Sequence, residues 1–188
     1  MSYAIEMIKV ECDGGVHEFS SETTVGKVIK KVYGKKSGAI AALVNDEEKD
    51  LSHLLLDDCR IELIDASSKE GSYIIRHSCA HLLAQAVTEL FPDAKPTIGP
   101  PIDEGFYYDF YMDPIDENDL RKIEKLMKKI IKQNIPIQRE EHNNDTLREM
   151  FSDNPFKIEI MDERIGEEVG SSAYRQGKFV DLCRGPHV

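Results

Sequence analysis

Two spacings of apolar residues alternate along this chain, one in two and one in three or four, and their order outlines its elements. Over residues 5–12 apolar and polar positions alternate, as in a strand with one buried face. Gly14-Gly15 marks a hairpin turn, and residues 16–19 return as a second strand. Val25, Val28, Ile29 and Val32 then recur at helical spacing, with Thr23 or Thr24 as the cap and Gly34 where a left-handed residue ends a helix. Residues 39–44 and 60–64 predict further strands, with Asn45-Asp46 as a turn between them and a short segment at 51–56. Strand, strand, helix, strand, strand is the order of a β-grasp, ubiquitin-like fold.

Residues 65–72, rich in serine and charge, predict a linker. Beyond it Ile75, Cys79, Leu82, Leu83, Ala86 and Leu90 predict a helix over 72–91, which Pro92 helps to end. Residues 97–111 predict strands broken by Gly99-Pro100-Pro101 and Asp103-Glu104-Gly105, with Phe106, Tyr108 and Phe110 on one face. A helix from Asp116 to about residue 133 carries Leu120, Ile123, Met127, Ile130 and Ile131 as its apolar stripe. Alternation over 156–160 predicts a strand with Lys157 and Glu159 on the polar face, so that losing Lys157 would leave the core packed. Residues 179–183 alternate too and put Asp181 and Cys183 on one side. The chain thus divides into a small unit at 1–64 and an α+β unit at 65–188.

Composition adds a compartment and a possible surface. No apolar run approaches the roughly 20 residues needed to cross a bilayer, and the start has neither the basic nor the apolar part of a signal peptide. A cytoplasmic chain with no membrane contact is expected, with Cys12, Cys59, Cys79 and Cys183 reduced. The formal net charge is -11, yet Arg121, Lys122, Lys125, Lys128, Lys129 and Lys132 face only Glu124 within 121–132. Such a run is either a solvated helix face or a contact for phosphates.

The candidate chemistry lies at both ends of the second unit. On a helix, the four residues from His77 to His81 turn through about 400°, so both imidazoles project from one face. Asp181, Cys183 and His187 follow one another near the end of the chain. Imidazoles, a thiol and a carboxylate are the inventory of a hydrolytic site, although a surface histidine or a core cysteine is the plain alternative for each. Cys79 is about 200° around the helix from His77, which points it towards the core.

Arg76-His77-Ser78-Cys79-Ala80-His81-Leu82-Leu83, Ile98-Gly99-Pro100, Gly105-Phe106-Tyr107-Tyr108-Asp109 and Asp181-Leu182-Cys183-Arg184-Gly185-Pro186-His187 together resemble the N-terminal region of bacterial-type threonyl-tRNA synthetases. The resemblance covers the whole chain and implies a TGS domain over 1–64 and most of a tRNA-editing domain over 65–188. It further implies that the editing domain continues past Val188, and that the ligase core and the anticodon-binding domain lie outside this chain. The activity implied is hydrolysis of the ester in seryl-tRNA(Thr). One methyl group separates threonine from serine by only about 1–3 kcal/mol, so a second, hydrolytic site is needed for fidelity. The implied partners are the acceptor end of tRNA(Thr) carrying serine and the remainder of the synthetase.

By the same resemblance His77 and Lys157 activate and position water, and Lys157 also stabilises the oxyanion. Asp181 takes the α-amino group of the substrate, while His81, Tyr108, Cys183 and His187 line the pocket. No cofactor is expected. Three alternatives stay open: a zinc-dependent deacylase with His77, His81, Cys183 and His187 as ligands, a Cys183 thiolate nucleophile, and a non-catalytic tRNA-binding or regulatory module.

Overall fold

The computed structural model of the chain describes residues 6–163 and 171–188. It is a mixed α+β protein whose contacts divide it into Met1–Ile75 with Gly185–Val188, and Arg76–Arg184. The first unit contains β1 (Met7–Cys12), β2 (Gly15–Ser20), β3 (Thr23–Thr24), α1 (Val25–Val32), β4 (Ala39–Val44), β5 (Glu47–Asp50), β6 (Leu54–Leu55) and β7 (Cys59–Asp65). Ile5, expected to begin the first strand, lies outside the described residues.

The hairpin turn is Asp13-Gly14, one residue earlier than expected, and both residues have positive φ, the backbone a tight two-residue hairpin needs. β1 buries alternate residues and pairs in parallel with β7, giving the sheet order β2-β1-β7-β4-β5. Thr24 caps α1 by accepting the Lys27 amide at 3.3 Å, and Val25, Val28 and Ile29 bury against Ile8, Val10, Phe19, Ala42 and Ile61. Asn45-Asp46 joins β4 to β5, not β4 to β7. Residues 47–50, to which the sequence assigns no element, form β5, an edge strand that needs no apolar face.

The expected linker is in part helical. α2 (Lys69–Leu90) starts three residues before the sequence suggests. Ser68 Oγ accepts the Gly71 amide at 2.9 Å, as an N-cap does. A Cβ on Gly71 would come within 2.0 Å of the Asp65 carbonyl oxygen, so only glycine allows this tight entry. Ile74 then buries against Ala41 and Ile64.

The second unit is built on α2. Leu82, Ala86 and Val87 pack against Ile123 and Ile130 of α3 (with β8, Lys95–Pro96, β9, Pro101–Ile102, β10, Gly105–Phe106, and β11, Phe110–Tyr111, preceding α3, Glu117–Gln133). A different side of α2 offers Ala80 and Ala84 to Tyr108. These two small residues let an aromatic ring approach the helix closely. α3 starts with a capping box between Asp116 and Asp119, as its sequence suggests. Its buried face is Ile123 and Ile130 flanked by Leu126 and Met127, whereas Leu120 and Ile131, expected in the stripe, are exposed.

β12 (Ile137–His142), α4 (Asn144–Met150), α5 (Pro155–Glu163), β13 (Ser171–Gln176) and β14 (Phe179–Leu182) complete the unit, with sheet order β12-β13-β14. Residues 156–160 are therefore helix, not the strand their alternation predicts. Asn154 Oδ1 accepts the Phe156 amide at 3.2 Å, and Pro155 takes the first helical position, where no amide donor is needed. Among the described residues no helix is long and apolar enough to cross a membrane.

Candidate functional site

Three elements of the second unit bring the candidate residues together. α2 supplies His77 and His81 from one side, and their rings meet edge to face with centroids 5.3 Å apart. β14 supplies Asp181, with Cys183 just beyond it. α5 supplies Lys157, and the segment before β11 supplies Tyr108.

Asp181 is the centre of the polar contacts. Its carboxylate accepts Lys157 Nζ at 2.6 Å, the Tyr108 hydroxyl at 2.5 Å and the Leu182 amide at 2.9 Å. Lys157 Nζ also donates to the Tyr108 hydroxyl oxygen at 3.1 Å. Lys157 is only 3% exposed and Asp181 1%, so this is a buried ion pair. The expectation of a lysine on a solvent-facing strand is overturned: a helix turns Lys157 inward by 100° per residue, where a strand would have faced it away from Phe156 and Ile158.

Burial acts on every titratable group here. Desolvation, the largest single influence, opposes ionisation of Asp181, but the Lys157 ammonium, neighbouring positive charge and the hydrogen bonds from Lys157 and Tyr108 together outweigh it and hold the carboxyl below its usual range. Desolvation pushes His81 down to about 4, although the Asp181 charge works the other way. The 3.7 Å approach of His81 Nε2 to Asp181 Oδ2 is then a neutral contact near pH 7, not an ion pair. Burial and the adjacent carboxylate raise Tyr108, which keeps its proton and donates it.

Cys183 Sγ lies 3.2 Å from His77 Nε2. One ligand atom from each of His77, His81 and Cys183 falls within 4.8 Å of the others, a set that could hold a metal ion. A tetrahedral zinc site would place such atoms about 3.3–3.8 Å apart, given bonds of 2.0–2.3 Å, so a small contraction would close it. His187 is buried and belongs to Gly185–Val188, which groups with the first unit. Cys79 is half-buried, its thiol raised by burial, and it stands outside the His and Cys set.

Two supporting residues, Asn154 and Ser172, escaped the sequence reading, and a third, Gly99, entered it only as a strand breaker and part of a motif. Asn154 caps α5, just before Lys157, and donates from Nδ2 to the Pro96 carbonyl at 2.8 Å. Its signal was available, since Asn-Pro is a helix start. Ser172 Oγ donates to the Cys183 carbonyl at 2.6 Å. Gly99 leaves room for the Tyr108 ring, which a Cβ there would meet at 2.1 Å.

No protein-family model matches the chain. Curated relatives do. It is 50% identical over 159 residues to a threonine--tRNA ligase of Thermoplasma volcanium, covering 85% of this chain and 23% of that protein. It is 45% identical over 186 residues to that of Thermotoga maritima, covering 96% and 28%. With the ligase of Streptococcus mutans the identity is 43% over 188 residues, covering 97% and 29%. The chain spans about a quarter of the length of these relatives, and over 85–97% of its own length it matches threonine--tRNA ligases as a small N-terminal fragment of them.

Proposed function

We propose that this chain is the TGS and editing region of a cytoplasmic threonyl-tRNA synthetase, and that it hydrolyses the ester of seryl-tRNA(Thr). The observation that carries this is the buried Asp181, Lys157 and Tyr108 set beside the His77 and Cys183 pair. The sheet order β2-β1-β7-β4-β5 with α1 across it supports a β-grasp, TGS-like first unit. Domain limits of 1–64 and 65–188 are proposed on the same basis.

His77 takes the proton from a water attacking the ester carbonyl. Asp181 binds the α-ammonium of the seryl group. An α-ammonium is the same kind of donor as Lys157 Nζ, so substrate exchanges one ammonium for another and turns Lys157 towards the reacting centre. There it orients water and meets the charge developing on the carbonyl oxygen. His81, neutral, donates or accepts a hydrogen bond, while Tyr108 and Cys183 shape a pocket that excludes the extra methyl of threonine. The chain needs no cofactor for these steps.

The 4.8 Å grouping of His77, His81 and Cys183 favours one second reading, in which zinc sits on these three. It would supply a Lewis acid for the carbonyl and, only with a ligand position open, a metal-bound water. The 3.2 Å approach of Cys183 Sγ to His77 Nε2 fits both readings, as a hydrogen bond in a metal-free site or as ligand spacing around zinc. The test is release of serine from seryl-tRNA(Thr), run with and without a chelator. Full activity after chelation supports the metal-free route, activity lost to the chelator and restored by zinc supports the second reading, and an intact ester throughout refutes both.

A further inference from the structure

We infer that the exposed face of α3 carrying Lys125, Lys129 and Lys132 is a docking surface for the phosphodiester backbone of RNA. The inference rests on the proposed role of tRNA as the carrier of the ester, and it adds where the RNA lies and what holds it. The six cations of α3 within 121–132 are not equivalent. Arg121 is paired with Glu117 at 3.7 Å, Lys122 with Asp119 at 2.9 Å and Lys128 with Glu124 at 2.5 Å. Those three are matched by acids on their own helix. No ion pair to Lys125, Lys129 or Lys132 is found among the described residues.

The unmatched three also share a direction. At 100° per residue they fall within about 60° of one another around the axis, and they climb by about 6 Å and then about 4.5 Å. That makes a row of point charges along one side of the helix, turned away from buried Ile123 and Ile130. All three line an open groove of about 720 Å³ with an apolar wall of Leu90 and Leu126, and the acid-paired Arg121, Lys122 and Lys128 line it too, so it is the missing acid partner that sets the three apart. On a chain with formal net charge -11, an uncompensated cationic row is complementary to a polyanion with regularly repeated charges. Lysines meet phosphates as point charges without reading base edges, so the contact positions the RNA rather than selecting its sequence.

The test measures binding of uncharged tRNA(Thr) to the full chain across a salt series, which needs no hydrolysis. The variant is Lys125→Gln with Lys129→Gln and Lys132→Gln, and the control is Lys122→Gln with Lys128→Gln, with folding of each checked by circular dichroism. Wild type should bind with a steep salt dependence, and the triple variant should lose about 3 from the slope of log K against log salt, roughly one per phosphate contact. The control should lose much less. In deacylation the triple variant should raise KM and leave kcat alone, as expected when only uniform binding is removed. An unchanged slope in the triple variant, no tRNA binding by wild type at low salt, or an equal loss in the control overturns the inference. So does tighter competition by an acidic peptide than by RNA. Wild type that binds tRNA through these lysines yet leaves the seryl ester intact would keep this surface and refute the editing role.

Discussion

Replacing Lys157 with Met keeps most of the side-chain volume and removes the charge that Asp181 needs. Removing one partner of a buried ion pair costs about 3–5 kcal/mol, because the other charge is left desolvated. Asp181 would still accept the Tyr108 hydroxyl and the Leu182 amide, so the cost should lie near the lower end, about 3 kcal/mol. Lys157→Met combined with Asp181→Asn removes both charges and should cost less than the two single changes summed, by about 1–3 kcal/mol. Urea titrations at neutral pH read both quantities, and unchanged m values would show that the unfolding reaction is the same. If the two units unfold separately, the transition of residues 76–184 should be the one that shifts. The pH dependence has a definite sign. In the parent chain the Asp181 carboxyl is held low, so its stabilisation is present above the ordinary carboxyl range near 4 and fades as pH falls through the lower folded value. Without Lys157 the carboxyl rises and protonates first, so the gap between parent and variant should narrow in acid. A loss under about 1 kcal/mol for Lys157→Met, or strict additivity in the double variant, would refute a buried pair.

His77→Ala should slow release of serine by about 10²–10⁴-fold with little change in the urea midpoint, whereas Cys79→Ala should affect stability and leave the rate intact; single-turnover deacylation beside urea melts separates the two. His81, held near 4 in the fold, is neutral where the unfolded chain becomes charged, so stability should be complete above the ordinary histidine value near 6.5 and be lost as pH falls towards 4. His81→Gln should flatten that part of a stability against pH profile, and an unchanged slope would count against the buried neutral imidazole. Gly99→Ala should cost about 1–3 kcal/mol and displace Tyr108, because its methyl would occupy ring space, and it should also slow serine release; unchanged melting and rate would contradict this.

Much of the molecule could be read from residue order because local signals and tertiary packing agree there. The His77 and His81 pairing follows from one helical turn, and the Asp116 cap needs no information beyond its own helix. At 156–160 two signals competed. Five alternating residues are a short sample, and Asn154-Pro155 carried the stronger physical constraint, a side-chain cap followed by a residue that lacks an amide donor. The burial of Lys157 could not be read at all. Its partners Tyr108 and Asp181 lie 49 and 24 residues away, and no local pattern marks a lysine that will be neutralised by distant groups. β5 was hidden for the opposite reason, since an edge strand of charged residues is set by its partner β4 and a positive-φ turn, not by an apolar face.

Editing is tested most directly by time courses of amino-acid release from seryl-tRNA(Thr) and threonyl-tRNA(Thr) incubated with this chain, with Lys157→Met alongside. Serine should be released well above the spontaneous rate, threonine should stay attached, and Lys157→Met should slow serine release by about 10²–10³-fold, the usual effect of removing one oxyanion donor. Equal release of the two amino acids would contradict exclusion of the methyl group, and serine release by Lys157→Met at the parent rate would contradict the role given to the buried lysine.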